Sequence, residues 1–436
     1  MQKRSMPRCV ACALWLSSSL MFIISTTFLY TINVSAHTTT ATAAQLQTNC
    51  PAPGRARVAI MPSTTLGTHA NLVYIFNDVP PNTSTAFGRL IRYDVTAGRR
   101  TEIVNSGLSL QNAQVSADGQ WILFITTPDP RGDPNHSSLL QLVRIDGRDL
   151  QTLYCTPTGT NISNLQWASD QRLVAFSFSK QGGGSGIMFL NVRNGSLQTD
   201  LFNQRSGAPY RPLTWLDTSR LYVLDPEIDA PSSNLFILDT RLGPNQNTAM
   251  LHHVFTPSNS FCWDADSSYD ARSLFTTGCT SEFNTTGPGV TGSHGPSTIA
   301  IHPATGGTAH NIFTSSTLAI TAIRAINPTT LLVMIQNHSS VKHVDTSKNG
   351  LWELHTNGTG FTRLTSDPNV LQAFSPFTQF PWSNVSRNGQ HYALQVNDDS
   401  HNSTSVLLGS FRGGSPITVA TARGASSVEL VGWTAV

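Results

Sequence analysis

Charge is what this chain has least of. Only 12% of its 436 residues are Asp, Glu, Lys or Arg, about half the usual share, and they balance to +2 with neutral histidine. So few cations cannot form the phosphate-neutralising patch that nucleic acid demands, which excludes it as the main partner. Helical periodicity is also missing: apolar residues recur at i, i+2 rather than i, i+3, i+4 in runs of four to eight, broken by Gly, Pro, Asn and Asp. The cysteines show no CxxC pair and no neighbouring histidine after the leader, so neither zinc nor redox chemistry is signalled. A 39% hydrophobic content still suffices for a core.

What is present is repetition. LWELHTNGTGFTRLT (351–365) places Asn357-Gly358, a dipeptide that accepts positive φ, between two alternating apolar runs, the pattern of a tight hairpin. LVRIDGRDLQTL (142–153) and FLNVRNGSLQTDLF (189–202) repeat it around Asp146-Gly147 and Asn194-Gly195. A second pattern pairs a short strand with a polar turn: VSADGQWILF (115–124), LQWASDQRLVAF (165–176), LTWLDTSRLYVL (213–224), FCWDADSSYDARSLF (261–275), AIRAINPTTLLVM (322–334) and VSRNGQHYAL (385–394). The spacing is about 50 residues, one four-stranded propeller blade. The count predicts an all-β propeller of seven blades; six or eight would follow if the unit around Ala322 or the insert 280–297 is read differently.

The chain ends on VELVGW (428–433), a first strand with nothing after it, and begins with LVYIFND (72–78), RLIRYDV (89–95) and RTEIV (100–104), three strands with no first strand before them. Pairing the two fragments in one blade closes the ring and removes its open edges.

Turns of the S-x-D-G and W-x-x-D kind, followed by a D/N-G-x-x-x-x-L-T hairpin, resemble the TolB-type, WD-repeat-like propeller repeat of exported bacterial proteins. The resemblance covers residues 55–436 and implies the propeller fold; family members range from periplasmic scaffolds to the propeller domains of peptidases, so it implies no single activity.

Lys3, Arg4 and Arg8 precede an apolar run over residues 10–32, with Val34-Ser35-Ala36 offering a signal-peptidase site. Residues 1–36 thus read as a signal peptide or an uncleaved membrane anchor, 37–54 as a flexible linker and 55–436 as the propeller, delivered outside the cytoplasm in either case. Oxidising surroundings favour pairing of the four later cysteines, Cys262 with Cys279 across a hairpin and Cys50 with Cys155, against a reading as buried free thiols.

Candidate chemistry is sparse. Trp167, Trp215, Trp263, Trp382 and Trp433 recur at one repeat position, which favours packing between blades over a ligand-stacking row. Asp118, Asp170 and Asp217 sit where a carboxylate locks a turn. Asp264, Asp266 and Asp270 alternate as calcium ligands would, but Tyr269 and Phe275 stand where a calcium loop needs Gly and Glu, so a longer acidic turn is the simpler expectation. His252 and His253 point to opposite faces of a strand. Arg131-Gly132-Asp133 matches an adhesion tripeptide in a Pro-rich loop. Gly182-Gly183-Gly184-Ser185-Gly186 misses the nucleophile-elbow register and reads as a hairpin loop. With no residues left over for a catalytic α/β domain, the chain reads as a monomeric, non-catalytic binding or scaffolding module for a protein or cell-surface ligand, with no cofactor, no metal and membrane contact only through its N-terminus. The alternative is a lactonase- or lyase-like propeller enzyme with its site at the channel mouth.

Overall fold

A computed structural model describes residues 44–45, 49–52, 55–62, 69–81, 83, 86–127, 138–203, 210–225, 234–243, 252–255, 262–268, 270, 272–283, 290–304, 307–339, 342–365, 385–398 and 401–434. The leader, Trp382 and the Arg131-Gly132-Asp133 tripeptide lie outside them. Among the described residues the helical content is one 3₁₀ turn, Thr346–Lys348, and no helix is long and apolar enough to cross a membrane.

The strands form seven antiparallel sheets arranged as a seven-bladed propeller. Running outward from the channel, blade 2 comprises Ser109–Val115, Trp121–Thr127, Leu139–Arg144 and Gln151–Cys155, and blade 3 comprises Thr160–Trp167, Leu173–Lys180, Ser185–Asn191 and Ser196–Asn203. Blade 4 begins at Arg211–Trp215, blade 5 at Trp263–Ser267 and blade 6 at Ile320–Asn327. The unit around Ala322 is therefore a full blade, and the insert extends the middle hairpin of blade 5, Ser273–Phe283 with Val290–Pro303. Blade 7 holds His391–Asp398, Ser403–Ser410 and Ile417–Arg423, with Val385 bridging Tyr392 at the innermost position.

Blades stack because second strands are apolar on both faces. In Trp121–Thr127, Ile122 and Phe124 pack with Val73, Ile75 and Val431 of blade 1, while Leu123 and Ile125 pack with Leu165 and Phe176 of blade 3. Leu221 and Val223 meet Ala175 and Phe189 of blade 3, and Tyr222 and Leu224 meet Trp263 and Leu274 of blade 5. Equivalent clusters join blades 5 to 6, 6 to 7 and 7 to 1, so every interface of the ring has its own apolar core.

The ring closes where the two ends of the chain meet. Ser427–Trp433 pairs antiparallel with Asn71–Asp78, Leu72 opposite Trp433 and Phe76 opposite Val428, and becomes the innermost strand of blade 1. Trp433 is fully buried among Leu72, Val406 and Val419. Because this blade joins two chain ends, it has no covalent turn between its first and second strands. Arg387 spans the gap, its guanidinium donating to the carbonyls of Ser116 and Ala117 in blade 2.

Described residues upstream of Asn71 lie along the outer edges. Ala44–Gln45 pairs parallel with the outer strand of blade 1, and Cys50 is bonded to Cys155 at the end of blade 2. Arg57 N–H then donates to Leu153 O and Ala59 N–H to Val192 O of blade 3, both at 2.7 Å. The Asn194-Gly195 turn sits against this strap: Gly195 has φ +71°, and a Cβ there would come within 2.8 Å of Ala56 O.

Candidate functional site

The inward edge of each first strand has no further strand to pair with, and neighbouring blades satisfy its N–H groups with side chains. Glu429 of blade 1 accepts from the N–H groups of Asn112 and Ala113 in blade 2. Asn112 Oδ1 accepts from Asn164 N–H of blade 3 at 3.0 Å, and Gln114 Oε1 from Trp167 N–H at 2.6 Å. Asp264 and Asp266 of blade 5 accept from Ile323 N–H (3.0 Å) and Ala325 N–H (2.9 Å) of blade 6. Gln395 of blade 7 accepts from Leu430 N–H of blade 1 at 3.1 Å. Asn112 and Asn164 both have φ 52°, a left-handed conformation asparagine tolerates, at bulges where strand register shifts.

This arrangement corrects the reading of the blade-5 acids as a longer turn. Asp264 and Asp266 lie within the first strand and are 2% exposed, while Asp270 stands in the following turn, where it accepts from Ser268 Oγ and Arg272 N–H. The three do not converge. Asp264 instead forms an ion pair with Arg324, itself 2% exposed, across the interface of blades 5 and 6. Burial pushes the Asp264 carboxyl up and Arg324 opposes it; burial pushes Asp266 up to about 7. Burial likewise raises Glu429 to about 7, against its two backbone donors. Among the described residues, no group of three His, Cys, Asp or Glu side chains is placed to hold a metal ion.

Turn acids behave as turn residues. Asp118, Asp170 and Asp217 each accept from a backbone N–H two residues on. Where Ser precedes by two positions, as in Ser116-Asp118, Ser268-Asp270 and Ser386-Asn388, its hydroxyl donates to the acid or amide and accepts from the N–H five residues ahead. That bond pattern is the physical content of the S-x-D-G repeat.

At the end of the channel where first strands turn into second strands, blades 2 to 6 enclose a cavity of about 200 Å³. Its walls are Gln114, Gln166, Trp167, Thr214, Trp215 and Ser267 together with the aliphatic Val115, Leu216 and, from blade 6, Ala325, with Ala117, Ser169, Asp217 and Ser268 from the turns at the rim. Trp167 packs in the core between blades 2 and 3, and Trp215 lies edge-on to Phe189 with its Nε1–H donated to Gln166 O at 3.2 Å. Both therefore pack between blades, as the repeat position predicts, and also line the cavity, which the repeat position does not reveal. The indole N–H of Trp167 is buried with no hydrogen-bond partner. Asp217 is committed to its turn, its Oδ2 accepting from Arg220 Nε at 2.7 Å.

The remaining flagged residues lie elsewhere. Cys262 is bonded to Cys279 across the first hairpin of blade 5. His253 sits on the outer strand of blade 4, edge-on to Phe236. Gly182-Gly183-Gly184 forms the loop between Leu173–Lys180 and Ser185–Asn191.

No protein-family model matches the chain, and no curated protein matches it. Among solved structures it is similar to an oligogalacturonate lyase in complex with manganese, with a TM-score of 0.51 and 9% identity over 75% of this chain and 85% of that one. TolB from Acinetobacter baumannii gives 0.45 and 13% over 83% and 82%, and a putative 6-phosphogluconolactonase from Bacteroides fragilis 0.45 and 11% over 82% and 98%. The similarity is one of fold. It assigns no activity.

Proposed function

We propose that this chain is an extracytoplasmic propeller, secreted or anchored by its N-terminus, that binds a protein or cell-surface ligand at the turn end of its channel and does not transform it. The observation that carries this reading is how the polar groups around the channel are employed. Its first-strand carboxylates, Glu429, Asp264 and Asp266, accept from backbone N–H groups of the next blade, which is work for a scaffold. The cavity walls offer indole, amide and hydroxyl groups, which recognise without reacting. The two disulfides suit an oxidising compartment.

Ala117 and Ser169 are exposed at the cavity rim, so Ala117→Trp and Ser169→Trp plug the mouth without touching a core. Tagged full-length protein, cross-linked in its own host and recovered, is expected to bring down a partner that both plugged variants lose. Equal recovery with all three proteins would remove the cavity from the proposal. Turnover of a lactone or of an oligogalacturonate by the wild-type chain, abolished by the plugs, would establish the lactonase- or lyase-like alternative.

A further inference from the structure

We propose that the cavity at the turn end of the channel seats one ring of a neutral saccharide, an inference that rests on the binding reading above and names its ligand class. Trp215, only partly buried, supplies indole surface, the group on which the C–H face of a sugar ring packs, beside Trp167, which is 5% exposed. Gln166, Thr214 and Ser267 bring amide and hydroxyl groups to the same walls, matching a ligand whose every edge both donates and accepts.

A further observation points to an occupant. Ser267 Oγ reaches Thr214 Oγ1 and Trp215 O at 3.4 Å each, contacts long enough for the hydroxyl to turn toward a ligand instead.

Charge and size narrow the class. Among the described residues no Lys, Arg or His lines the cavity, and its single carboxylate, Asp217, is paired with Arg220 at the rim, so the walls offer no free cation to a uronate or a phosphate. At about 200 Å³ the space is below the ~300–1,000 Å³ that encloses drug-sized ligands, so it takes a single ring, with the rest of a chain leaving through the mouth.

The test is calorimetric and tryptophan-fluorescence titration of the full-length protein with cellobiose and chitobiose as neutral probes and digalacturonate as an anionic probe of similar size. A neutral disaccharide is expected to bind at least tenfold more tightly than digalacturonate, and Ser169→Trp to weaken it tenfold or more at an unchanged unfolding midpoint. Ala117→Trp, which enters from blade 2, provides the same test should Ser169→Trp fail to fold. Absence of binding by both neutral probes, tighter binding of digalacturonate, or neutral binding indifferent to both plugs would each overturn the saccharide. If the probes fail while the plugs still abolish recovery of a cross-linked partner, the binding reading stands and the ligand class falls; if the plugs change neither, both fall.

Discussion

Glu429 holds a proton more tightly in the folded protein than in the unfolded chain, because burial raises its carboxyl from 4.5 to about 7. The contribution of such a group to stability is complete below about pH 4.5 and is lost as pH rises through about 7, since over that range the native state binds more protons than the unfolded one. Glu429→Gln keeps a carbonyl acceptor for Asn112 and Ala113 and removes the titration. The variant is expected to match wild type in urea midpoint at pH 4 and to be more stable by about 1–3 kcal/mol at pH 8. Comparing the two proteins cancels the opposite slope from His302 and His391, whose ring pKa values burial lowers. A difference that stays flat with pH would show that Glu429 is solvated. At this scale the chain was least readable. An acid two residues from another acid, as Asp264 is from Asp266, looks alike in a calcium loop, a turn and a buried strand. Only the neighbouring blade, with Arg324 and two N–H groups, decides between them, and it lies about 60 residues away.

Elements were far more readable, since a hairpin is written within a dozen residues. Asn357-Gly358 turns as its sequence predicts, Gly358 taking φ +83° with its N–H bonded to His355 O at 2.8 Å. The closing strand was legible because VELVGW repeats the first-strand pattern. Of the strap, the Cys50–Cys155 bond was legible, but the hydrogen bonds of Arg57 and Ala59 were not, as their partners Leu153 and Val192 belong to blades the segment never joins in sequence. Closure makes Trp433 a sensitive probe. It is completely buried, with its ring near that of His391 and its neighbours drawn from both blades it joins. Trp433→Ala is expected to destabilise by about 3–5 kcal/mol through lost burial and a residual cavity, read as a shift in denaturant midpoint. A loss below about 1 kcal/mol would mean that the strand frays without consequence.

For the whole molecule, the outer edges of blades 1 to 3 are tied by the segment running from Ala44–Gln45 through Cys50 to Ala59, and one covalent bond fixes it. Cys50 and Cys155 are 105 residues apart in sequence, so their bond closes a long loop of the unfolded chain. Cys50→Ser is expected to lower stability by about 2–4 kcal/mol and to speed proteolytic cleavage within residues 55–62 while cleavage elsewhere is unchanged at low protease. Equal cleavage rates would show that the hydrogen bonds to Leu153, Val192 and the Gln151 side chain hold the strap without the disulfide. The shared blade has a consequence for how the protein is made. Its three outer strands are synthesised first and its innermost strand last, about 320 residues later. At ~5–20 residues per second that interval is roughly 16–64 s. For that time Asn71–Asp78 carries an unpaired edge of eight residues, six of them later in register with the closing strand. Newborn chains share this open edge, and two of them can pair through it before either finishes. The interval before Ser427–Trp433 emerges thus decides between a ring and an aggregate, and a chain truncated anywhere before Ser427 has no route to the ring.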